Sequence, residues 1–154
     1  MTHLVGNSSP CAVRLQEARL KKASLELGGK SPAIVFPDAD MDVAIRGTAS
    51  AIFFNMGQCC TAGSRLFVHK RVFDKLMEGI ASEAGKISMG PGLNPDSQMG
   101  PLVSEEQFTR VTGFLEAGRK EGARVVTGGE PRIGCHVDTP VGDILAIMIA
   151  RRQP

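Results

Sequence analysis

The chain has 154 residues, 42% hydrophobic and 22% charged, which is the composition of one ordinary folded domain and excludes a disordered or low-complexity chain. A formal net charge of +2, with no Trp and no Tyr, excludes a strongly basic nucleic-acid surface. The longest strongly apolar run, ILAIMIA at 144–150, is far too short to cross a bilayer, so no membrane partner is expected.

The N-terminal stretch MTHLVGNSSPCAVRLQ has no basic segment followed by an apolar one, so no secretory signal is read there. The four cysteines, Cys11, Cys59, Cys60 and Cys135, are not spaced like a secreted disulfide framework. Adjacent cysteines close only a strained ring, so free thiols and a cytoplasmic location are expected. The sequon NSS at 7–9 bears only on a secreted chain and is set aside.

PAIVF (32–36) is a short, nearly continuous apolar run, which predicts a strand buried on both faces. PDAD (37–40) supplies a turn with cap-forming aspartates. Ile45, Ala49, Ile52, Phe53 and Met56 then recur as a helical stripe. SRLFVHK (64–70) reads as a strand, and Phe73, Leu76, Met77, Ile80, Ala84 and Ile87 mark one face of a second helix.

MGPGLNPDSQMGPLV (89–103) is a Gly/Pro-rich loop. Ser104 with Gln107 fits a capping box, and Phe108, Val111, Leu115 and Gly118 form a third helical stripe behind it. ARVVTGG (123–129) predicts another strand. The order β-α-β-α-loop-α-β predicts an α/β domain with a largely parallel sheet. Residues 1–19 show no clean period, and 130–154 have weak turn logic, so neither end has the character of a domain edge.

FFNMGQCCTAGSR (53–65) places two thiols side by side between a helical and a strand-like run. A thiol ionises near pH 8.5, so a nucleophilic cysteine needs backbone N–H donors, a base or a cation beside it to be thiolate at about neutral pH. Two readings stay open on position alone: small core hydrophobes, or an active nucleophile. Gly57, Thr61, Ala62, Gly63 and Ser64 favour the second, because small residues allow a tight backbone that can aim an amide at an oxyanion. No metal site is expected, since His3, His69 and His136 are scattered rather than paired at zinc-ligand spacing.

In LELGGKSP (25–32), Glu26 lies between two leucines that could desolvate it into general-base range, against the plain alternative of a solvated strand-edge glutamate. Gly28 and Gly29 permit a sharp turn or the close approach of a ligand. GGKS lacks the earlier glycine of a phosphate-binding loop. Asp38, Asp40 and Asp42 alternate as in a calcium loop, but Val43 and Ala49 replace its required glycine and glutamate, so they read as caps.

LELGGKSP followed by FFNMGQCCTAGSR resembles the pair of signature motifs of the aldehyde dehydrogenase superfamily, in order and in spacing. PDADMDVA between them and MGPLVSEEQFTRVTGFLEAGRKEGARVVTGG after them match as well, so the resemblance runs from about Leu20 to Gly129. It implies a parallel-sheet, three-layer catalytic domain of aldehyde dehydrogenase type, truncated at both ends. On that reading 1–27 is a remnant of the dinucleotide-binding domain, 28–129 a partial catalytic domain and 130–154 a divergent tail. The family's "FTGS"-like cofactor loop has a weak echo in LVGNSS (4–9).

By the resemblance Cys60 is the nucleophile, Cys59 is not catalytic, Glu26 is the general base, and Leu27 with Gly28 borders the NAD or NADP site. The implied reaction oxidises an aldehyde to a carboxylic acid. The Cys60 thiolate forms a thiohemiacetal, hydride leaves for the nicotinamide, and Glu26 activates the water that hydrolyses the resulting thioester. The family's oxyanion asparagine and ribose-gripping lysine and glutamate belong to a region before the matched stretch, so a short chain is expected to bind NAD(P) weakly and turn over slowly. A homo-oligomer is left open, and so are the particular aldehyde and the choice between NAD and NADP. Two other classes compete: an inactive fragment serving as a structural or interaction module, and a thioester-forming hydrolase that uses the same two residues without nucleotide.

Overall fold

The computed structural model describes residues 2–5, 23–130 and 149–150, with side chains described for 27–130. Strand β1 (Thr2–Val5) pairs in parallel with β2 (Ala23–Glu26), Val5 standing opposite Glu26. Strand β3 (Pro32–Val35) pairs in parallel with β4 (Arg65–Val68), Ile34 opposite Phe67 and Val35 opposite Val68. A parallel pair needs a crossover, and helix α1 (Met41–Phe53) supplies it. A parallel pair joined through a helix makes the α/β architecture that the element order predicts.

Asp40 caps α1, its carboxylate accepting from the N–H groups of Asp42 and Val43 at 3.0 Å each. The aspartate cluster therefore acts as a helix start, as its spacing predicts. The α1 stripe turns inward on helix α2 (Phe73–Gly85), where Leu76 and Ile80 are fully buried. Val35, Ala49, Phe53, Leu76, Ile80, Ala84 and Met99 form one core, with Leu66 and Val68 packed against it. At the helix crossing Gly79 lets α2 approach Ile45, whose side chain fills the space a β-carbon would take.

The loop after α2 is ordered by local bonds: Gly90 N–H donates to the Met99 carbonyl at 3.0 Å, and the Ser88 hydroxyl donates to the Asp96 carbonyl at 2.5 Å. Helix α3 (Glu105–Lys120) starts at Ser104, whose hydroxyl accepts from Gln107 N–H at 3.2 Å. Its stripe packs Leu115, Phe108 and Val111 onto Leu102 in a second, smaller core. Glu105 and Glu106 in the first turn and Arg119 and Lys120 in the last complement the helix dipole.

Two expectations change. Strand β3 is not buried on both faces: Val35 faces the core, but Ile34 is 60% and Phe36 65% exposed, and Phe67 opposite Ile34 is 54% exposed. Among the described residues both helices that pack on β3 and β4 lie on one face, and a continuous apolar run cannot tell an open face from a covered one. The strand expected over 123–129 shrinks to β5 (Arg124–Val125), which pairs antiparallel with β6 (Ile149–Ala150). Gly128 and Gly129 take positive φ values of 69° and 97°, which a strand cannot continue through.

Candidate active site

The two sequence motifs meet because β3 and β4 pair. Just ahead of that ladder, Arg65 N–H donates to the Ser31 carbonyl at 3.2 Å, and Arg65 Nε donates to the Lys30 carbonyl at 2.8 Å. One step further back, Gly29 abuts Cys60: a β-carbon at Gly29 would stand 2.3 Å from the Cys60 carbonyl oxygen. The glycine pair thus permits the close approach of a backbone, and that backbone belongs to the cysteine motif.

The loop carrying the thiols is wound tightly. After α1 a single 3-10 turn spans Phe54–Gly57, and three consecutive residues take positive φ: Asn55 at 50°, Met56 at 57° and Gly57 at 73°. Asn55 tolerates that region because its short polar side chain bonds locally, Nδ2 donating to the Gln58 carbonyl at 2.9 Å. Gly63 N–H then donates back to the Ala51 carbonyl at 3.0 Å, and the Gly63 α-carbon fits between Ala51 and Ala33. These bonds turn the chain from α1 into β4 and leave Cys59 and Cys60 at the turn.

Cys60 is exposed and Cys59 half-buried, and both are free thiols. The core-hydrophobe alternative therefore fails for Cys60. The Thr61 hydroxyl lies 3.3 Å from Cys59 Sγ. Hydrogen bonds from the Thr61 side chain and backbone, with a smaller one from the Cys60 side chain, hold the Cys59 thiol below its ordinary ionisation range, against an opposing effect of burial. The sequence motif pointed to small residues around the thiols but gave no sign of the Thr61 contact. Asn55 does carry a readable signal, since an asparagine before Met-Gly is the residue type that accepts a left-handed turn.

For Glu26 the backbone alone is described: it closes β2 opposite Val5. Leu27, next along, is 39% exposed, and a β-carbon at Gly28 would meet nothing within 4 Å. The segment from Glu26 to Gly29 therefore ends against Cys60 while leaving open room beside Leu27 and Gly28. His69 sits in the turn after β4, its Nδ1 accepting from Arg71 N–H at 3.2 Å. Cys11, Cys135, His136 and the 6–9 part of LVGNSS lie outside the described residues. Among the described residues no group of three or more His, Cys, Asp or Glu is placed to hold a metal ion, and no helix is long and apolar enough to cross a membrane.

Comparison with known proteins matches the model of the aldehyde dehydrogenase family over residues 8–142. The mitochondrial aldehyde dehydrogenase of Leishmania tarentolae is 48% identical over 114 residues, which is 74% of this chain and 23% of that protein. Among solved structures, the NAD+ complex of an aldehyde dehydrogenase from Bacillus cereus superposes with a TM-score of 0.76 at 39% identity, covering 86% of this chain and 26% of that one. A mutant aldehyde dehydrogenase C from Pseudomonas syringae, solved with NAD+ and octanal, gives a TM-score of 0.81 at 31% identity, covering 93% and 29%. The chain spans less than a quarter of the length of the curated relatives it matches. With the motif order, the parallel strand pairs and a family match over most of its length all in agreement, the chain belongs to the aldehyde dehydrogenase family.

Proposed function

We propose that this chain carries the nucleophile and the base of an NAD(P)-dependent oxidation of an aldehyde to a carboxylic acid, Cys60 being the nucleophile and Glu26 the general base. The observation that carries the reading is the contact of Gly29 with the Cys60 carbonyl, which seats the end of the glutamate motif against the cysteine. The exposed position of Cys60 leaves its sulfur accessible to a substrate carbonyl.

The Cys60 thiolate attacks the aldehyde carbon, and the Cys60 backbone N–H donates to the oxyanion so formed. When bound, the nicotinamide supplies the hydride acceptor. Leu27 and Gly28 would border its ring, an assignment supported by the open room at those positions. Glu26 takes a proton from the water that attacks the Cys60 thioester, which releases the acid and restores the thiol. Medium-chain aldehydes fall within the proposed substrate class on the strength of the octanal complex of the Pseudomonas syringae relative. A cytoplasmic location belongs to the same reading.

The chain matches 23% of the length of the Leishmania tarentolae relative. Positioning groups supplied by the rest of such a protein are worth several kcal/mol of barrier, about 7–11 at the upper end, so slow turnover is expected of these 154 residues on their own. A second reading, a catalytically inactive structural or interaction module, is favoured by the open apolar face at Ile34, Phe36 and Phe67. Iodoacetamide labelling with peptide mapping separates the two. A catalytic Cys60 alkylates well ahead of Cys11 and Cys135, and NAD(P)H formed from aldehydes disappears in Cys60→Ala. Equal labelling rates with no turnover favour the inert module.

A further inference from the structure

Met56 takes a left-handed backbone, with φ 57° and ψ 25°, in the turn that leads from α1 to the cysteines. Its neighbours meet that geometry in ways open to them: Asn55 bonds the Gln58 carbonyl, and Gly57 has no β-carbon. Methionine has neither device, and such a conformation persists only where the surroundings over-determine it. The surroundings here are apolar. Phe54 and Asn55 are exposed, but Met56 is half-buried and packs on both hydrophobic cores. On one side is the main core, which includes Phe53 of α1 and Leu76 and Ile80 of α2. On the other is the smaller core of Leu102 and Leu115, which seats α3. Among the described residues Met56 is the side chain common to both. A long, unbranched thioether suits a gap between two such surfaces.

We propose that Met56 is a positioning residue for Cys60: its side chain pins the cysteine turn between the two cores, so that the seating of α3 sets where the nucleophile stands. The turn beyond Met56 is continuous with it. Gln58 N–H donates to the Asn55 carbonyl at 2.9 Å, Ala62 N–H to the Cys59 carbonyl at 3.1 Å, and Gly63 N–H to the Ala51 carbonyl at 3.0 Å. A shift of Met56 is therefore passed to the backbone on either side of Cys60. The inference deepens the catalytic reading and rests on it for one word, nucleophile; the pinning itself is a matter of packing.

The test is a double-mutant cycle on the full chain, read from the backbone amide resonances of Cys60, Ala62 and Gly63 in nuclear magnetic resonance spectra. A loss of stability alone leaves native-state resonances where they are, so the readout reports placement. Met56→Ala should displace all three resonances, and Met56→Leu, which keeps the packing, should restore them. Leu115→Ala opens the smaller core and should displace the same three resonances in the wild-type background. In the Met56→Ala background it should no longer do so. Leu115→Val makes the same comparison with a smaller truncation should Leu115→Ala unfold the chain. Undisplaced resonances in Met56→Ala, or equal displacement by the Leu115 variant in both backgrounds, overturns the proposal. Because neither turnover nor thiol reactivity is read, that failure leaves the catalytic reading intact. A failed aldehyde assay in turn leaves the pinning of the turn intact.

Discussion

The α-carbon of Gly29 rests against the carbonyl of Cys60 so closely that a β-carbon there would stand 2.3 Å from the oxygen. The obstructing atom is backbone, held by the β3–β4 ladder and the Arg65 bonds, so it cannot swing aside as a side-chain end would. Gly29→Ala is therefore expected to destabilise the fold by about 1–3 kcal/mol, as overpacking does, and to displace the cysteine loop. Gly28→Ala, where a β-carbon meets nothing within 4 Å, is the control and should stay within about 0.5 kcal/mol. Urea unfolding of the two variants checks the contrast, and equal effects would mean that the contact does not position Cys60.

Asn55 sets the next prediction. Its φ of 50° is a strained value for most side chains, and its amide donates to the Gln58 carbonyl at 2.9 Å. Alanine loses both the hydrogen bond and the tolerance of that backbone, a loss of about 1–2 kcal/mol. Glycine loses only the hydrogen bond, so Asn55→Gly should destabilise about half as much. A reversed order in chemical denaturation would show that the turn is held by something other than Asn55.

The parts of the molecule legible in the sequence are those governed by local rules. Asp40 and Ser104 cap helices where their positions predict, and the apolar stripes of Ile45, Ala49 and Phe53 and of Leu76, Ile80 and Ala84 turn into the core. Cys60 and Gly29 were singled out by motif, yet the contact between them depends on a parallel pairing of strands far apart in the chain, which no local pattern encodes. The open face of β3 is invisible to the sequence for a related reason. Ile34 and Phe36 look like any buried pair until the neighbouring layers are known. The Thr61 bond to Cys59 escaped because a threonine next to a cysteine carries no directional signal.

The open face and the core should respond oppositely to truncation. Leu76 is 0% exposed, so Leu76→Ala removes packed atoms and leaves a cavity, a loss of about 2–5 kcal/mol. Phe67, 54% exposed opposite Ile34, has little to lose: Phe67→Ser should change stability by about 0.5 kcal/mol or less and reduce self-association of the chain. Thermal melts with light scattering read both effects. A large destabilisation by Phe67→Ser would show that this face is covered in solution.

The last prediction concerns pH. The folded chain holds the Cys59 thiol below its ordinary range, chiefly through the Thr61 hydroxyl and then the Thr61 N–H. An acid whose folded pKa is lowered is preferentially deprotonated in the native state. Its contribution to stability is then fully present above the unfolded pKa and is lost as pH falls through the folded one. The same shift sets thiolate availability, so Cys59 should alkylate at lower pH than an unperturbed thiol. Thr61→Val removes the largest cause while keeping the side-chain shape, and the midpoint of Cys59 alkylation should move to higher pH. Thr61→Ser retains a hydroxyl and should leave it near the wild-type position. Peptide-resolved alkylation across a pH series measures both, and an unmoved midpoint in Thr61→Val would mean that the hydroxyl does not hold the thiolate.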